Sequence, residues 1–121
     1  TRSVGAYNKE SGDVFINRLK LYFADFKDGN WTDVTAFYLN SDDYSVGHPC
    51  YSVNGSRLYF VSDMPGGLGG TDIYRSVWNG KEWGKPENLG SAVNTDGNEM
   101  FPYMHDDGTL YFSSDASKEE N

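Results

Sequence analysis

The chain has 121 residues, enough for one domain, and a formal net charge of −8, which disfavours nucleic acid and anionic membrane surfaces as partners. Aromatic residues make up 16 % of it, which argues for a packed core and against disorder. No apolar run approaches 18 residues, so no direct membrane insertion is expected. Cys50 is the only cysteine, too few for a disulfide framework or a zinc site, and reads as a small buried hydrophobe on a strand. His48 and His105 lack metal-ligand spacing and read as structural or loop residues.

In chain order, Thr1–Val4 reads as the tail of a strand and Gly5–Asp13 as a polar loop. Arg18–Phe26 has the alternation of a strand, and Asp28-Gly29 is a hairpin turn leading to a strand from Trp31 to about Tyr38. Asn40–Gly47 is a polar loop. Pro49–Val53 and Arg57–Ser62 are strands joined at Asn54-Gly55. The run Pro65–Gly70 holds four glycines and forbids helix, so Asp63–Asp72 is a φ-permissive loop. Strands follow at Asp72–Trp78 and Glu82–Leu89, joined at Asn79-Gly80. After the loop Gly90–Asn98, strands Met100–Met104 and Leu110–Ser114 are joined at Asp107-Gly108. No helical periodicity is present, and the fold class is all-β.

The chain repeats itself. Leu58-Tyr59-Phe60-Val61-Ser62-Asp63 returns 52 residues later as Leu110-Tyr111-Phe112-Ser113-Ser114-Asp115, and Trp31 returns as Trp83. Two hairpins per period make units of four antiparallel strands, the size of a β-propeller blade. The repeat units span approximately 18–63 and 71–115. Leu58–Val61, Leu110–Phe112 and Leu21–Phe23 are apolar on both faces, as stacked sheets require, so Leu58, Phe60, Leu110 and Phe112 are expected to be nearly fully buried. Trp31 and Trp83 are expected to pack blade against blade.

The motif Ser62-Asp63-Met64-Pro65-Gly66-Gly67-Leu68-Gly69-Gly70-Thr71-Asp72-Ile73-Tyr74, followed by a Trp-containing hairpin, resembles the WD-like β-propeller repeat of bacterial periplasmic proteins. Tyr44–Pro49, Leu58–Asp63, Trp83, Asn88–Gly90, Asn94-Thr95 and Leu110–Asp115 carry the same resemblance. It is nearest to large outer-membrane proteins of the Bacteroidetes type, which join helical repeats, a propeller, a small β-sandwich and an OmpA-like domain. The resemblance implies a periplasmic or outer-membrane-associated location on the periplasmic face. It implies other envelope proteins as partners, the type IX secretion and gliding machinery among them. At the C-terminus the sequence departs from the family pattern, with Ala116–Asn121 where a Gly-rich loop would recur. The chain does not begin with Met, and Thr1 is expected to be a boundary within a longer protein. Residues 1–121 are thus expected to be about two repeats of a larger propeller, self-associating through uncovered faces at Leu21–Phe23 and Leu110–Phe112.

Strand direction places the tight turns on one rim and the long loops on the other. The long loops carry Asp42, Asp43, Tyr44, Asp63, Asp96 and Glu99, the expected partner-binding residues, on an acidic surface without Lys or Arg. No catalytic, cofactor or metal residues are assigned. Gly66–Asp72 nearly spells a calcium-binding nonapeptide, but its Asp is one position late and the motif is single, so Asp63 and Asp72 are expected to tie the loop by hydrogen bonds. No helix follows these glycines, which excludes a dinucleotide fingerprint, and no GxSxG elbow is present. The function expected is a non-catalytic protein–protein interaction module. The alternative is a carbohydrate-binding or glycoside-processing propeller using Tyr44, Tyr74 and Trp78.

Overall fold

A computed structural model describes the backbone of residues 4–11 and 14–116 and the side chains of residues 18–116. All regular structure within them is β-strand: β1 (Val4–Ser11), β2 (Val14–Lys27), β3 (Asn30–Ala36), β4 (Val46–Tyr51), β5 (Arg57–Ser62), β6 (Asp72–Val77), β7 (Glu87–Asn88), β8 (Glu99–Met104) and β9 (Leu110–Ser114). They form three antiparallel sheets, ordered β1-β2-β3, β4-β5-β6-β7 and β8-β9. The chain divides into two compact units, Thr1–Gly47 and His48–Asn121. That division falls within β4, inside the first of the two expected repeat units.

In the first unit, residues expected to be a loop form β1, paired with β2 from Val4↔Leu21 to Ser11↔Val14. The polar sequence hides this strand because its stability comes from the ladder with β2, not from alternation. The Asp28-Gly29 turn has φ of 51° and 81°, the two left-handed residues that a two-residue hairpin requires. Leu21, Phe23, Phe37 and Val46 are buried, and the Phe23 and Phe37 rings meet edge to face at 5.8 Å. Leu21 and Phe23, expected on an uncovered face, are thus buried, and Tyr22 between them is half-buried. A bulge between Phe23 and Asp25 re-aims the strand and lets adjacent Phe23 and Ala24 both point inward.

In the second unit, β5 is the most buried strand, with Leu58, Tyr59, Phe60 and Val61 all inside. It lies between β4 and β6, and β8 packs on β5 and β6. The equivalent strand β9 differs: Leu110 is half-buried, and Phe112 is 37 % exposed against 0 % for Phe60. The expected burial of Leu110 and Phe112 does not hold, because β9 pairs with β8 alone among the described residues. The expected strand Glu82–Leu89 shrinks to Glu87–Asn88 plus one bridge, Trp78↔Trp83. Pro86 has no N–H to give to a ladder, and Gly84 weakens the run before it.

The tryptophans also depart from expectation. Trp31 is 53 % exposed and packs on Phe26, its cross-strand partner, at 5.0 Å. Trp83 packs on Trp78 at 5.2 Å. Phe26 and Trp31 precede Trp78 and Trp83 by 52 residues, so each pair clasps its own hairpin below the turn. The connections at 52–56, 79–82 and 105–109 are wider than two-residue turns. Each is tied by an Asn or Asp side chain: Asn54 Oδ1 accepts from Ser56 N, Asn79 Oδ1 from Lys81 N and Asp107 Oδ1 from Thr109 N.

The burial contrast between the two repeats sets an expectation. Phe60→Ala costs about 3–5 kcal/mol, while Phe112→Ala costs under about 1 kcal/mol. Chemical denaturation of the two variants measures both, and equal losses would mean that β9 is covered in solution.

Candidate functional site

The long loops of the second unit run from Asp63 to Thr71 and from Leu89 to Asn98. Their shape is set by side-chain amides that replace missing strand backbone. β7 stops at Asn88, which leaves the Ile73 peptide groups of β6 without a neighbouring strand. Buried Asn94 fills the gap: Ile73 N donates to its Oδ1 at 2.7 Å, and its Nδ2 donates to Ile73 O at 3.0 Å. Leu89 N adds a bond to the same carbonyl at 3.1 Å. Asn94 Nδ2 also donates to Asn88 Oδ1, at 2.8 Å. The first unit repeats the device. Leu21 N donates to Asn40 Oδ1 at 2.8 Å, Asn40 Nδ2 donates to Leu21 O at 2.9 Å, and Phe37 N donates to Leu21 O. Two residues before each clamped position the pattern recurs again: Leu19 N donates to Ser45 Oγ, and Thr71 N to Asn98 Oδ1.

The glycines of the motif serve close approach. Gly66 has φ of 97°, which side chains disfavour. A Cβ on Gly69 would collide with the Thr95 and Asp96 backbone, and one on Gly70 with the Asn98 side chain. Gly70 N donates to Gly97 O at 2.9 Å, so the two loops are bonded backbone to backbone. Under the loop, the Asp72 carboxylate is 1 % exposed; its Oδ2 accepts from Leu68 N and from Asn88 Nδ2. Asp72 therefore ties the loop with hydrogen bonds.

The expected partner-binding residues separate into two kinds. Asp63 and Asp96 are exposed on the second unit's loops. In the first unit, Asp43 is exposed, Tyr44 is half-buried and Asp42 forms an ion pair with Lys20. Glu99 does not lie on a rim at all: it is 0 % exposed. Its Oε1 accepts from Thr95 N at 2.9 Å, and its Oε2 accepts from Thr95 Oγ1 at 2.7 Å and Ser114 Oγ at 2.6 Å. Burial alone would raise this carboxyl, but the hydrogen bonds from Ser114 and Thr95 outweigh it and hold the group below its ordinary value. Its place beside a polar loop in the sequence predicts a rim position, but as the first residue of β8 it points inward. Asp115 closes the network: Asn98 N and Nδ2 donate to its two oxygens at 2.6 and 2.9 Å, and these bonds lower its carboxyl.

Two of the three aromatics of the carbohydrate reading, Tyr74 and Trp78, lie apart from one another in the second unit. Tyr74 is buried against Phe60, their rings stacked at 5.9 Å. Trp78 follows the end of β6 remote from the Gly-rich loop and packs on Trp83. Among the described residues no group of three or more His, Cys, Asp or Glu side chains is placed to hold a metal ion. Compared with family models and with curated proteins, the chain matches none.

Removing the amide clamp exposes its worth. Asn94→Ala leaves Ile73 N without its partner, so a loss of about 1–3 kcal/mol is expected, together with lost hydrogen-exchange protection at the Ile73 amide. Asn94→Asp keeps the acceptor but not the donor and rescues only part.

Glu99 gives a pH dependence. Its folded carboxyl lies below the ordinary 4.5, so its stabilisation is fully present above that pH and is lost as pH falls through the folded value. Glu99→Gln is expected to be less stable than the parent at pH 7, and the gap should narrow toward pH 3 in urea titrations.

Proposed function

We propose that this chain is a non-catalytic protein–protein interaction module of a bacterial cell-envelope protein, built as about two repeats of a larger β-propeller. The four-stranded sheet β4-β5-β6-β7 is read as one blade, and the hairpin β8–β9 as the equivalent of β4–β5 in the next. Its place is the periplasm or the periplasmic face of the outer membrane. The reading rests on the sequence resemblance and on one structural observation in particular. The carboxylates of Asp72 and Glu99 are buried and hydrogen-bonded within the loop network, while Asp63 and Asp96 are exposed on the loops so fixed. Inward carboxylates that hold loop backbone, with outward carboxylates on the rigid result, suit recognition of a basic partner surface. Preorganised loops lose little entropy on docking.

The partner class is an envelope protein with a cationic patch. Neutralising Asp63 and Asp96 together as Asn should leave the fold intact, since exposed substitutions move stability by about 0.5 kcal/mol or less. The full-length parent protein should capture a discrete set of envelope proteins from extract. Capture should weaken as salt shortens the Debye length to well under about 10 Å, and weaken again in the double variant. Asp43→Asn tests the first unit's loop separately. Capture indifferent to salt and to all three substitutions would overturn the reading.

A further inference from the structure

Two residues, one in each repeat and each immediately before a proline, share an unusual conformation. His48, immediately before Pro49, has φ of 48°; Phe101, immediately before Pro102, has φ of 53°. Bulky side chains rarely adopt this left-handed region, and strain retained at a matched pair of positions implies a contact that over-determines it. The contact is between the two residues themselves. Their rings stack at 4.2 Å with planes 9° apart, and Phe101 N donates to His48 Nδ1 at 3.3 Å.

We propose that the His48–Phe101 contact is a pH-sensitive clasp between hairpins β4–β5 and β8–β9, held by neutral imidazole and released when Nδ1 takes up a proton. In the neutral ring Nδ1 carries the lone pair that accepts the Phe101 N–H, so the mobile proton sits on Nε2. A proton from solvent makes Nδ1 a donor, and two N–H groups then face each other. The stack alone would favour the cation, because aromatic faces attract positive charge. Partial burial opposes it and draws the imidazole below its ordinary 6.5. The titratable groups on the elements around it, among the described residues, are Cys50 and Tyr51 on β4, Arg57 and Tyr59 on β5, Glu99 and Tyr103 on β8, and Tyr111 on β9. Glu99 is turned to Thr95 and Ser114, and the depression of His48 has burial as its cause. Further along the same strands, Met104 N donates to Cys50 Sγ at 3.4 Å, so release begins locally at the His48 end.

The sign follows from linkage. A folded-state value below the unfolded 6.5 means that the clasp contributes fully above that pH and is lost as pH falls through the folded value. NMR titration of the 121-residue chain from pH 8 to pH 5 tests this. The His48 imidazole should titrate below 6.5, the Phe101 amide shift should follow the same curve, and β8 exchange protection factors should fall several-fold across it. A His48 value at or above 6.5, or a Phe101 amide that ignores the titration, overturns the proposal. His48→Phe places in the first repeat the residue that the second repeat carries there, and should make β8 protection independent of pH over this window. Wild-type pH dependence persisting in that variant also overturns it; if the variant does not fold, the wild-type titration decides alone.

Discussion

The loop architecture of each unit depends on one interaction, an asparagine side chain that stands in for a strand. A primary amide has the donor and acceptor of a peptide group, so Asn94 can pair with both Ile73 N and Ile73 O as a neighbouring backbone would. Without it, the end of β6 would bury an unpaired Ile73 N–H, which globular interiors do not tolerate, and the Ile73 carbonyl would keep only the bond from Leu89 N. With it, β7 is free to end at Asn88, and the chain from Leu89 onward can leave the sheet and form a loop. Asn40 does the same for Leu21 in the first unit. The long loops are therefore a consequence of the clamp and are not slack between strands.

Once the clamp frees the loops, short-range bonds fix them. Gly69 and Gly70 let the loop after β5 touch the Thr95–Asn98 backbone, and any side chain there would push the two loops apart. Thr71, Thr95, Asn98, Ser114, the buried carboxylates of Asp72 and Glu99 and the exposed one of Asp115 complete the network. The acidic composition thus divides by role. A net charge of −8 invites a reading in which every loop carboxylate faces a partner, yet the burial of Asp72 and Glu99 removes two of them from the surface. The loops that remain carry less charge than their sequence suggests and hold it more rigidly.

Much of the fold was legible in the sequence. β5 and β9 run over the residues expected, because β-branched and aromatic runs bounded by turn residues are a local signal. Asp28-Gly29 forms the hairpin that its composition requires. The misses share a cause: each depends on a partner remote in sequence. β1 is polar and exists through its ladder to β2; β7 is short because Pro86 cannot pair; Glu99 is inward because Thr95 and Ser114 meet it there. The asparagine clamps are not legible in the sequence for a further reason. Asn40 and Asn94 are 54 residues apart where the strands repeat at 52, so the loop length differs and a fixed-period comparison does not align them.

Leu58-Tyr59-Phe60 and Leu110-Tyr111-Phe112 carry the sharpest physical lesson. The residues are the same and both segments are strands, yet the first is enclosed and the second is largely open. Local sequence decides that a strand forms; the number of neighbours decides what it buries. β5 has β4 and β6 beside it and β8 across its face, whereas among the described residues β9 has β8 alone. At about 25 cal/mol per Å² of apolar surface, a third ring left half in water forgoes stabilisation that its repeat twin receives in full. The exposed Phe101, Tyr103 and Tyr111 on the same hairpin share that condition. β8–β9 is thus held through the inward side of β8, by Glu99 at one end and by the His48 and Cys50 contacts along it. The hairpin with the least enclosed surface is the one fastened by polar and aromatic contacts.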